Sequence, residues 1–123
     1  MSDVAAWVGV GLVGAAGAYA RFAVGGAVTA RRPSDFPFGT FVVNVTGGFA
    51  LGLLVGLAVH GDARLVLGTG FLGAYTTFST WMVEAQRLGE DGEWATMCWY
   101  LLGSMAAGLA ATGAGWLLGE ALG

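Results

Sequence analysis

The sequence contains no lysine, and its basic side chains are five arginines set against eight acidic residues. Nucleic-acid binding needs clustered basic residues, so this balance argues against a nucleic-acid partner. The single cysteine, Cys98, excludes an intrachain disulfide and any metal site built from several cysteines. Charged residues make up only 11% of the 123 positions, which is too little polar surface for a soluble domain of this size.

Long apolar runs dominate the chain, in which 56% of the residues are hydrophobic. A helix needs about 20 mostly apolar residues to cross the ~30 Å hydrocarbon core of a bilayer. The runs meet or approach that length, and only short polar links separate them. We therefore predict an all-α integral membrane protein, folded as one four-helix domain over residues 1–123. The charge-poor runs cover residues 4–20, 36–59, 65–83 and 94–119, and the helices are predicted at about 4–28, 38–59, 63–88 and 94–118.

Glycine is unusually frequent, with 23 residues spread through the apolar runs rather than gathered in linkers. Small residues let membrane helices approach each other closely, where packing replaces a hydrophobic driving force. Regular spacing of small residues therefore predicts tight helix–helix contacts. The two sets with such spacing are Gly48, Gly52 and Gly56 in the second run, and Ala111, Gly115 and Gly119 in the last.

The third run contains the segment GFLGAYTTFST (residues 70–80), which is rich in glycine and in hydroxyl groups. Gly70 and Gly73 weaken a helix, and Thr76 and Thr77 are poor helix formers. One interpretation is that the third helix is broken within the membrane. Freed carbonyls and amides are tolerated there only where they line a cavity or bind an ion. The alternative is that the threonines bond back to carbonyls of their own helix, and composition does not decide between the two.

Aromatic residues recur at helical spacing through the same run, at Phe71, Tyr75, Phe78 and Trp81. Such a stripe is commonly core packing or lipid contact. The functional alternative uses the positive edge of the ring quadrupole, which attracts anions weakly. Weak attraction suits a conduction path, because an ion must leave as readily as it binds.

Three polar residues lie in or near the predicted membrane segments and need an account. Asn44 in the second helix either faces an aqueous path or bonds two helices together. Arg21 is expected near the membrane boundary, where it contacts water or carbonyls. Glu84, near the end of the third helix, is either an interfacial structural acid or the carboxylate of a proton-coupled carrier.

Arginines are unevenly divided between the two ends of the predicted helices. Arg31, Arg32 and Arg87 lie in loops on one side, whereas Arg64 alone lies on the other. Positive residues favour the cytoplasm, so the termini lean towards the outside. A difference of two or three arginines does not fix the orientation.

Three motifs together resemble the CrcB/Fluc family of fluoride channels. GAAGAYARF (14–22) resembles the family's glycine-rich approach to an arginine, and GTFVVNVTGGFALG (39–52) its G-T-x-x-x-N-x-x-G element. GFLGAYTTFSTW (70–81) resembles the element G-x-x-T-T-F-S-T-F. They occur in the family's order, on the first three predicted helices, and the resemblance spans nearly the whole chain.

The resemblance implies a small multi-pass subunit of the cell membrane that pairs with an antiparallel partner. Such a dimer contains two narrow pores that pass fluoride passively and reject chloride. Its role is fluoride export, which gives fluoride resistance. A structural sodium ion is implied at the dimer axis, held by backbone carbonyls from both subunits.

Residue by residue, the resemblance assigns a fluoride path, a sodium site and an arginine at the end of the first helix. Asn44 is similar to the pore asparagine, Phe78 to the first pore aromatic, and Trp81 occupies the position of the second. Gly73 and Thr76 match the sodium site, and Arg21 the arginine. The polar track implied beside the pore comprises Thr40, Thr77, Ser79, Thr80, Tyr100 and Ser104, with Glu84 adjoining it.

Two features depart from the family pattern. Trp81 stands where the family has phenylalanine, and its indole is larger and offers an N–H donor. The arginine bias is also stronger than expected for a chain that inserts in both orientations. Dual topology with a homodimer and a heterodimer with an oppositely oriented paralogue therefore both stay open.

Other functions remain as alternatives to the channel. A proton-coupled cation or drug exporter can also have four helices, but that pattern places a glutamate within the first helix, which residues 4–20 lack. A non-transporting assembly subunit would leave Asn44 and the hydroxyls of residues 76–80 without a common purpose. An enzyme is not expected, since no nucleophile–base pair or set of metal ligands is evident.

Overall fold

The computed structural model describes residues 2–123 and is built from helices, with no β-strand among those residues. The three long helices are α1 (Asp3–Arg31), α2 (Phe38–Gly56) and α6 (Trp94–Leu122). By length and composition, these three are apolar enough to cross a membrane. Relative to the sequence-based bounds, α1 continues past Val28 to Arg31, whereas α2 ends at Gly56 rather than near Val59.

Local sequence signals account for where α1 begins and ends. The Ser2 hydroxyl accepts a hydrogen bond from the Ala5 amide at 3.2 Å, which satisfies one of the free N–H groups of the first turn. Asp3 in the first turn and Arg31 in the last complement the helix dipole. Pro33 and Pro37 follow, and they keep the 32–37 link out of helical conformation.

The stretch between α2 and α6 consists of several short helical segments. It begins with α3 (Gly61–Arg64), continues as a π-helical segment (Leu65–Leu72), and passes into α4 (Gly73–Tyr75). Thr76 then adopts an extended conformation, with φ −78° and ψ 157°. Helical structure resumes at Ser79 with α5 (Ser79–Glu90). A π-helix is rare, and each of its hydrogen bonds spans one residue more than in an α-helix. The sequence-based prediction did not include this segment.

Close contact between α2 and α6 depends on glycine. A Cβ at Gly52 would lie 2.0 Å from the Thr112 carbonyl oxygen, and one at Gly115 would lie 2.1 Å from that of Phe49. Likewise, a Cβ at Gly56 would meet the Trp116 carbonyl oxygen at 2.2 Å. These distances are too short for any side chain, so the predicted tight contact through the spaced small residues is confirmed.

Glycine also allows α1 to lie against the π-helical segment. A Cβ at Gly17 would stand 2.2 Å from the Phe71 carbonyl oxygen, and one at Gly70 would stand 3.2 Å from Val10 Cα. The interrupted stretch is therefore held on one side by α1, as α2 is held by α6. This arrangement keeps the residues after Tyr75 next to the middle of α2.

Few side chains are fully buried in the single chain. One cluster comprises Val43, Leu72 and Tyr75, and a second comprises Ala85, Leu88 and Tyr100. Large apolar side chains cover much of the outside, including aromatic rings that are more than two-thirds exposed. Such a surface is compatible with lipid or with another protein chain, and not with bulk water. These rings belong to Tyr19, Phe22, Phe78 and Trp99.

Replacing Gly52 with alanine should destabilise the fold, because the added methyl group would clash with the main chain of α6. Overpacking costs about 1–3 kcal/mol, and a backbone obstacle cannot rotate away, so the upper part of that range is expected. Thermal unfolding in detergent, followed by circular dichroism, measures the loss. Gly113→Ala is the matched control, since a Cβ there meets nothing within 4 Å. Equal melting temperatures for the two variants would contradict the close-contact interpretation.

Candidate functional site

Asn44, at the middle of α2, forms two hydrogen bonds with the main chain of Thr77. Its Nδ2 donates to the Thr77 carbonyl oxygen at 2.8 Å, and its Oδ1 accepts from the Thr77 amide at 2.8 Å. Thr77 lies in the non-helical link between α4 and α5, so these backbone groups lack their usual helical partners. The amide side chain of Asn44 takes the place of those partners. One N–H of Nδ2 is left for a further acceptor.

The break in the helix takes the usual i+4 amide donors away from carbonyls at the end of α4, including those of Gly73 and Thr76. In a continuous helix the Gly73 carbonyl would accept from the Thr77 amide, but that amide donates to Asn44 instead. The Thr76 carbonyl would likewise accept from the Thr80 amide, which donates to Thr77 Oγ1 at 3.2 Å. Gly73 and Thr76, matched above to a sodium site, are thus among the residues whose carbonyls lack their usual helical donor.

The hydroxyl groups of residues 76–80 divide into two kinds. Thr76 Oγ1 donates to the Leu72 carbonyl at 2.9 Å. This is the bond back to the helix's own carbonyl that the structural alternative predicts for a threonine. Thr77 Oγ1 instead accepts from the Thr80 amide in the first turn of α5. Ser79 is exposed at the start of α5, and Thr80 shares a cavity with Thr77.

A second polar group links three helices through Glu84 on α5. Thr40 Oγ1 donates to Glu84 Oε1 at 2.5 Å, and the Tyr100 hydroxyl donates to the same oxygen at 3.3 Å. Tyr100 is completely buried, with the Phe36 ring edge-on to it at 5.3 Å. The carboxylate thus contacts two hydroxyl groups that the resemblance assigns to the polar track.

The aromatic pair consists of Phe78 and Trp81. Their ring centroids are 5.7 Å apart with an interplanar angle of 74°, so one ring presents its edge to the other. Phe78 is 70% exposed in the single chain, whereas Trp81 is half-buried. Phe71 and Tyr75, from the same predicted stripe, stack on each other at 6.0 Å instead.

Two neighbouring cavities adjoin this aromatic pair. The first has a volume of about 340 Å³ and is bounded by Phe78, Thr76 and Gly73 among others. The second, of about 300 Å³, extends to Ser104 on α6. Asn44, Gly48 and Trp81 line both cavities and lie between them. Ser104, one turn after Tyr100 on α6, thus shares the second cavity with Trp81.

Arg21 lies apart from the aromatic pair, in a separate cavity of about 320 Å³. That cavity is also lined by Thr40, Thr77 and Thr80, so it too borders the link. The arrangement places a guanidinium group near hydroxyls of the predicted track. Positive charge at such a place favours the approach of anions.

A polar cavity of about 280 Å³ lies at the α5–α6 end of the molecule. Glu84 and Arg87 line it together with Asp35 and Glu93 from the links. A hydrogen bond with Asp35 raises the pKa of Glu93 above its ordinary value, and partial desolvation and repulsion from Asp35 and Asp91 raise it further. The GEDGE segment (89–93) is recognisable in the sequence as an acidic turn, but its proximity to Asp35 was not predicted.

Thr46 is another contact that the sequence reading missed. Its hydroxyl donates to the Val42 carbonyl at 2.7 Å and lies 2.9 Å from the Tyr75 hydroxyl. This second polar link, two residues after Asn44, ties α2 to the end of α4. A hydroxyl within the apolar second run was the available signal.

Replacing Asn44 with alanine should destabilise the link between α4 and α5. The change leaves the N–H and the carbonyl of Thr77 without partners, each at a cost of about 1–3 kcal/mol. Hydrogen exchange of peptides covering residues 72–80 should accelerate, and the melting temperature should fall.

Thr29→Ala serves as the control for this variant, since it removes a hydroxyl that bonds only back to the Gly25 carbonyl at 2.8 Å. That variant should leave exchange at residues 72–80 unchanged. Unchanged exchange in Asn44→Ala as well would show that the pair does not hold the link.

Comparison with known proteins gives consistent matches over almost the whole chain. The family model described as CrcB-like protein, Camphor Resistance (CrcB), matches residues 8–116. Fluoride-specific ion channel FluC 2 of Mycobacterium tuberculosis (strain ATCC 25618 / H37Rv) is 50% identical over 117 residues, covering 95% of this chain and 90% of the relative. FluC 2 of Mycolicibacterium paratuberculosis is 57% identical over 91 residues, covering 74% and 75% respectively. FluC of Nitratidesulfovibrio vulgaris is 44% identical over 106 residues, covering 82% and 86%.

Proposed function

The chain belongs to the CrcB family, and from that premise we propose that it is a fluoride-specific ion channel. It carries fluoride out of the cell passively, through the cell membrane, and performs no chemical conversion. The observation that carries the proposal is the Asn44–Thr77 link, which places hydrogen-bond donors, released carbonyls and an aromatic pair around two adjoining cavities. The exporter and assembly alternatives give no role to that combination.

Fluoride is small and strongly hydrated, so a path through the membrane must replace its water with hydrogen-bond donors. The remaining N–H of Asn44 and the hydroxyls around the cavities are such donors. Ring edges of Phe78 and Trp81 add weak attraction without holding the ion. Thr40 and Tyr100 both donate to Glu84, so fluoride on that part of the track would compete with the carboxylate for their protons.

A second chain, antiparallel to the first, completes the pores in this proposal. Phe78 is 70% exposed although it borders the first cavity, which suggests that another surface covers the ring in the assembly. Large aromatic groups that remain exposed elsewhere would face that partner or the lipid. The partner is either a second copy or an oppositely oriented paralogue, and flux from the purified chain alone separates these two cases.

A structural sodium ion fits the released carbonyls of Gly73 and Thr76. Carbonyl oxygens are hard ligands that suit such a cation, and their helical N–H donors are engaged by Asn44 and Thr77. Bound sodium would supply positive charge between the two chains and so stabilise their association. The chain's own contribution is to keep these two carbonyls free of helical hydrogen bonds.

Liposomes that contain the purified chain should release fluoride rapidly and retain chloride. Phe78→Leu should slow fluoride release by roughly tenfold or more, because it removes a ring edge from the path. Parallel fluoride and chloride electrodes measure both ions. The control is Tyr19→Leu, an equally exposed aromatic outside the cavities, which should conduct normally. Equal fluoride release by both variants would show that Phe78 is not part of the path. Absence of fluoride release by the unmodified chain would indicate a missing partner subunit or a different function.

Replacing sodium with a large organic cation should weaken the dimer, whereas removing the Thr76 hydroxyl should not. Thr76→Val keeps the backbone carbonyl and the methyl group that lies near Gly47, so the ligand and the packing are retained. Dimer dissociation, followed by size-exclusion chromatography across a sodium titration, is the measurement. A dimer that is indifferent to sodium, or sodium dependence that disappears in Thr76→Val, would contradict a backbone-carbonyl site.

A further inference from the structure

Two buried polar atoms lack a hydrogen-bond partner among residues 2–123. They are Nε1 of Trp81 and Oγ of Ser104. Buried donors are nearly always satisfied, because leaving one unpaired costs free energy comparable to a lost hydrogen bond. The indole nitrogen is the more informative of the two, since it can only donate and so requires an acceptor.

Trp81 is placed where an unpaired donor would meet a permeating ion. Its side chain lines both cavities, together with Asn44, and Ser104 lines the second. Trp81 therefore borders two open spaces, of about 340 and 300 Å³. Phe78 packs on it with an interplanar angle of 74°, which fixes the orientation of the indole from the side of the first cavity.

We propose that the indole N–H of Trp81, together with the hydroxyl of Ser104, forms a hydrogen-bonding subsite for a dehydrated halide ion. The inference rests on the proposed channel function and adds to it a specific donor that a phenylalanine in this position could not provide. An N–H and an O–H that converge on one anion satisfy both unpaired atoms at once. Asn44 lines both cavities as well, and its remaining N–H can add a third donor.

Such a subsite has a chemical preference and a kinetic consequence. Fluoride is the strongest hydrogen-bond acceptor among the halides and the smallest, so short N–H and O–H donors favour it over chloride. A hydrogen bond to a charged acceptor is stronger than contact with a ring edge. The channel should therefore saturate at a lower fluoride concentration than a channel with phenylalanine at both positions of the aromatic pair. The reason is that a tightly bound ion leaves the path more slowly.

The competing explanation is purely structural. In that explanation the Ser104 hydroxyl accepts from the indole N–H across the cavity they share, which satisfies the tryptophan without any ion. In that case both side chains would serve packing only. Fluoride would then leave the indole proton unaffected.

Indole ¹⁵N–¹H resonances of the full chain in lipid nanodiscs give a direct test, with the tryptophans labelled and fluoride titrated at constant ionic strength. The chain has five tryptophans, so Trp81→Phe identifies its signal by absence. We expect a saturable downfield shift of the Trp81 indole proton with fluoride and little change with chloride. If Trp81→Phe does not fold, single replacements of the other four tryptophans assign the signal.

Flux through the same proteins supplies the second readout. Trp81→Phe should still conduct, but its half-saturating fluoride concentration should rise roughly tenfold or more, the usual effect of losing a hydrogen bond to a charged group. Ser104→Ala should raise it less, since the indole donor remains. Trp99→Phe is the matched control, because Trp99 is 73% exposed and lines neither cavity.

An unmoved Trp81 resonance combined with an unchanged half-saturation in Trp81→Phe would overturn the subsite while leaving the channel intact. A Trp81 resonance that moves only in Ser104→Ala, without fluoride, would establish the structural pairing instead. Absence of fluoride flux in both the unmodified chain and Trp99→Phe would count against the channel function itself. The two proposals therefore fail in distinguishable ways.

Discussion

The paired hydrogen bonds between the Asn44 amide and the main chain of Thr77 are the interaction on which the rest of the site depends. A backbone that leaves helical conformation inside a membrane must find other partners for its N–H and carbonyl groups. Asn44 supplies both partners at 2.8 Å from one side chain. Without the Asn44 amide, residues 76–78 would lower their free energy by returning to helical conformation. The carbonyls of Gly73 and Thr76 would then recover their helical donors.

That interaction needs a rigid base, and α2 provides it. Gly52 and Gly115 bring α2 and α6 together at main-chain distance, so α2 cannot shift without a clash. Val43, next to Asn44, is almost completely buried, and Gly47 leaves room for the Thr76 methyl group on the following turn. Glycine packing therefore fixes the position from which the asparagine reaches the link.

The distribution of apolar groups explains why so polar a site occurs in so hydrophobic a chain. The fully buried clusters are small, while rings such as those of Phe22 and Phe78 are exposed. The chain thus exposes many large apolar side chains on its outer surface, whereas the polar groups of Asn44, Thr77 and Glu84 are hydrogen-bonded between helical segments. In lipid this is the stable arrangement, because the polar groups satisfy one another where no water is available.

Periodicity and composition determined the helical class, the approximate helix positions and the close approach of helices through spaced glycines. These properties follow from local sequence, since helix formation and the need for small residues at close contacts are decided turn by turn. The polar side chains also stand out in the sequence, because each is costly in an apolar run. The π-helical segment does not, since its hydrogen-bond spacing depends on how the segment packs against α1.

Only the tertiary structure decided which of those polar groups meet. Asn44 and Thr77 are 33 positions apart, and Thr40 and Glu84 are 44 apart, so no local pattern pairs them. The same holds for Trp81 and Ser104, whose unpaired atoms become visible only once α5 and α6 are placed around the cavities. Hydrogen bonds act over about 3 Å, and the partner at that distance is set by the packing of whole helices rather than by the residues on either side.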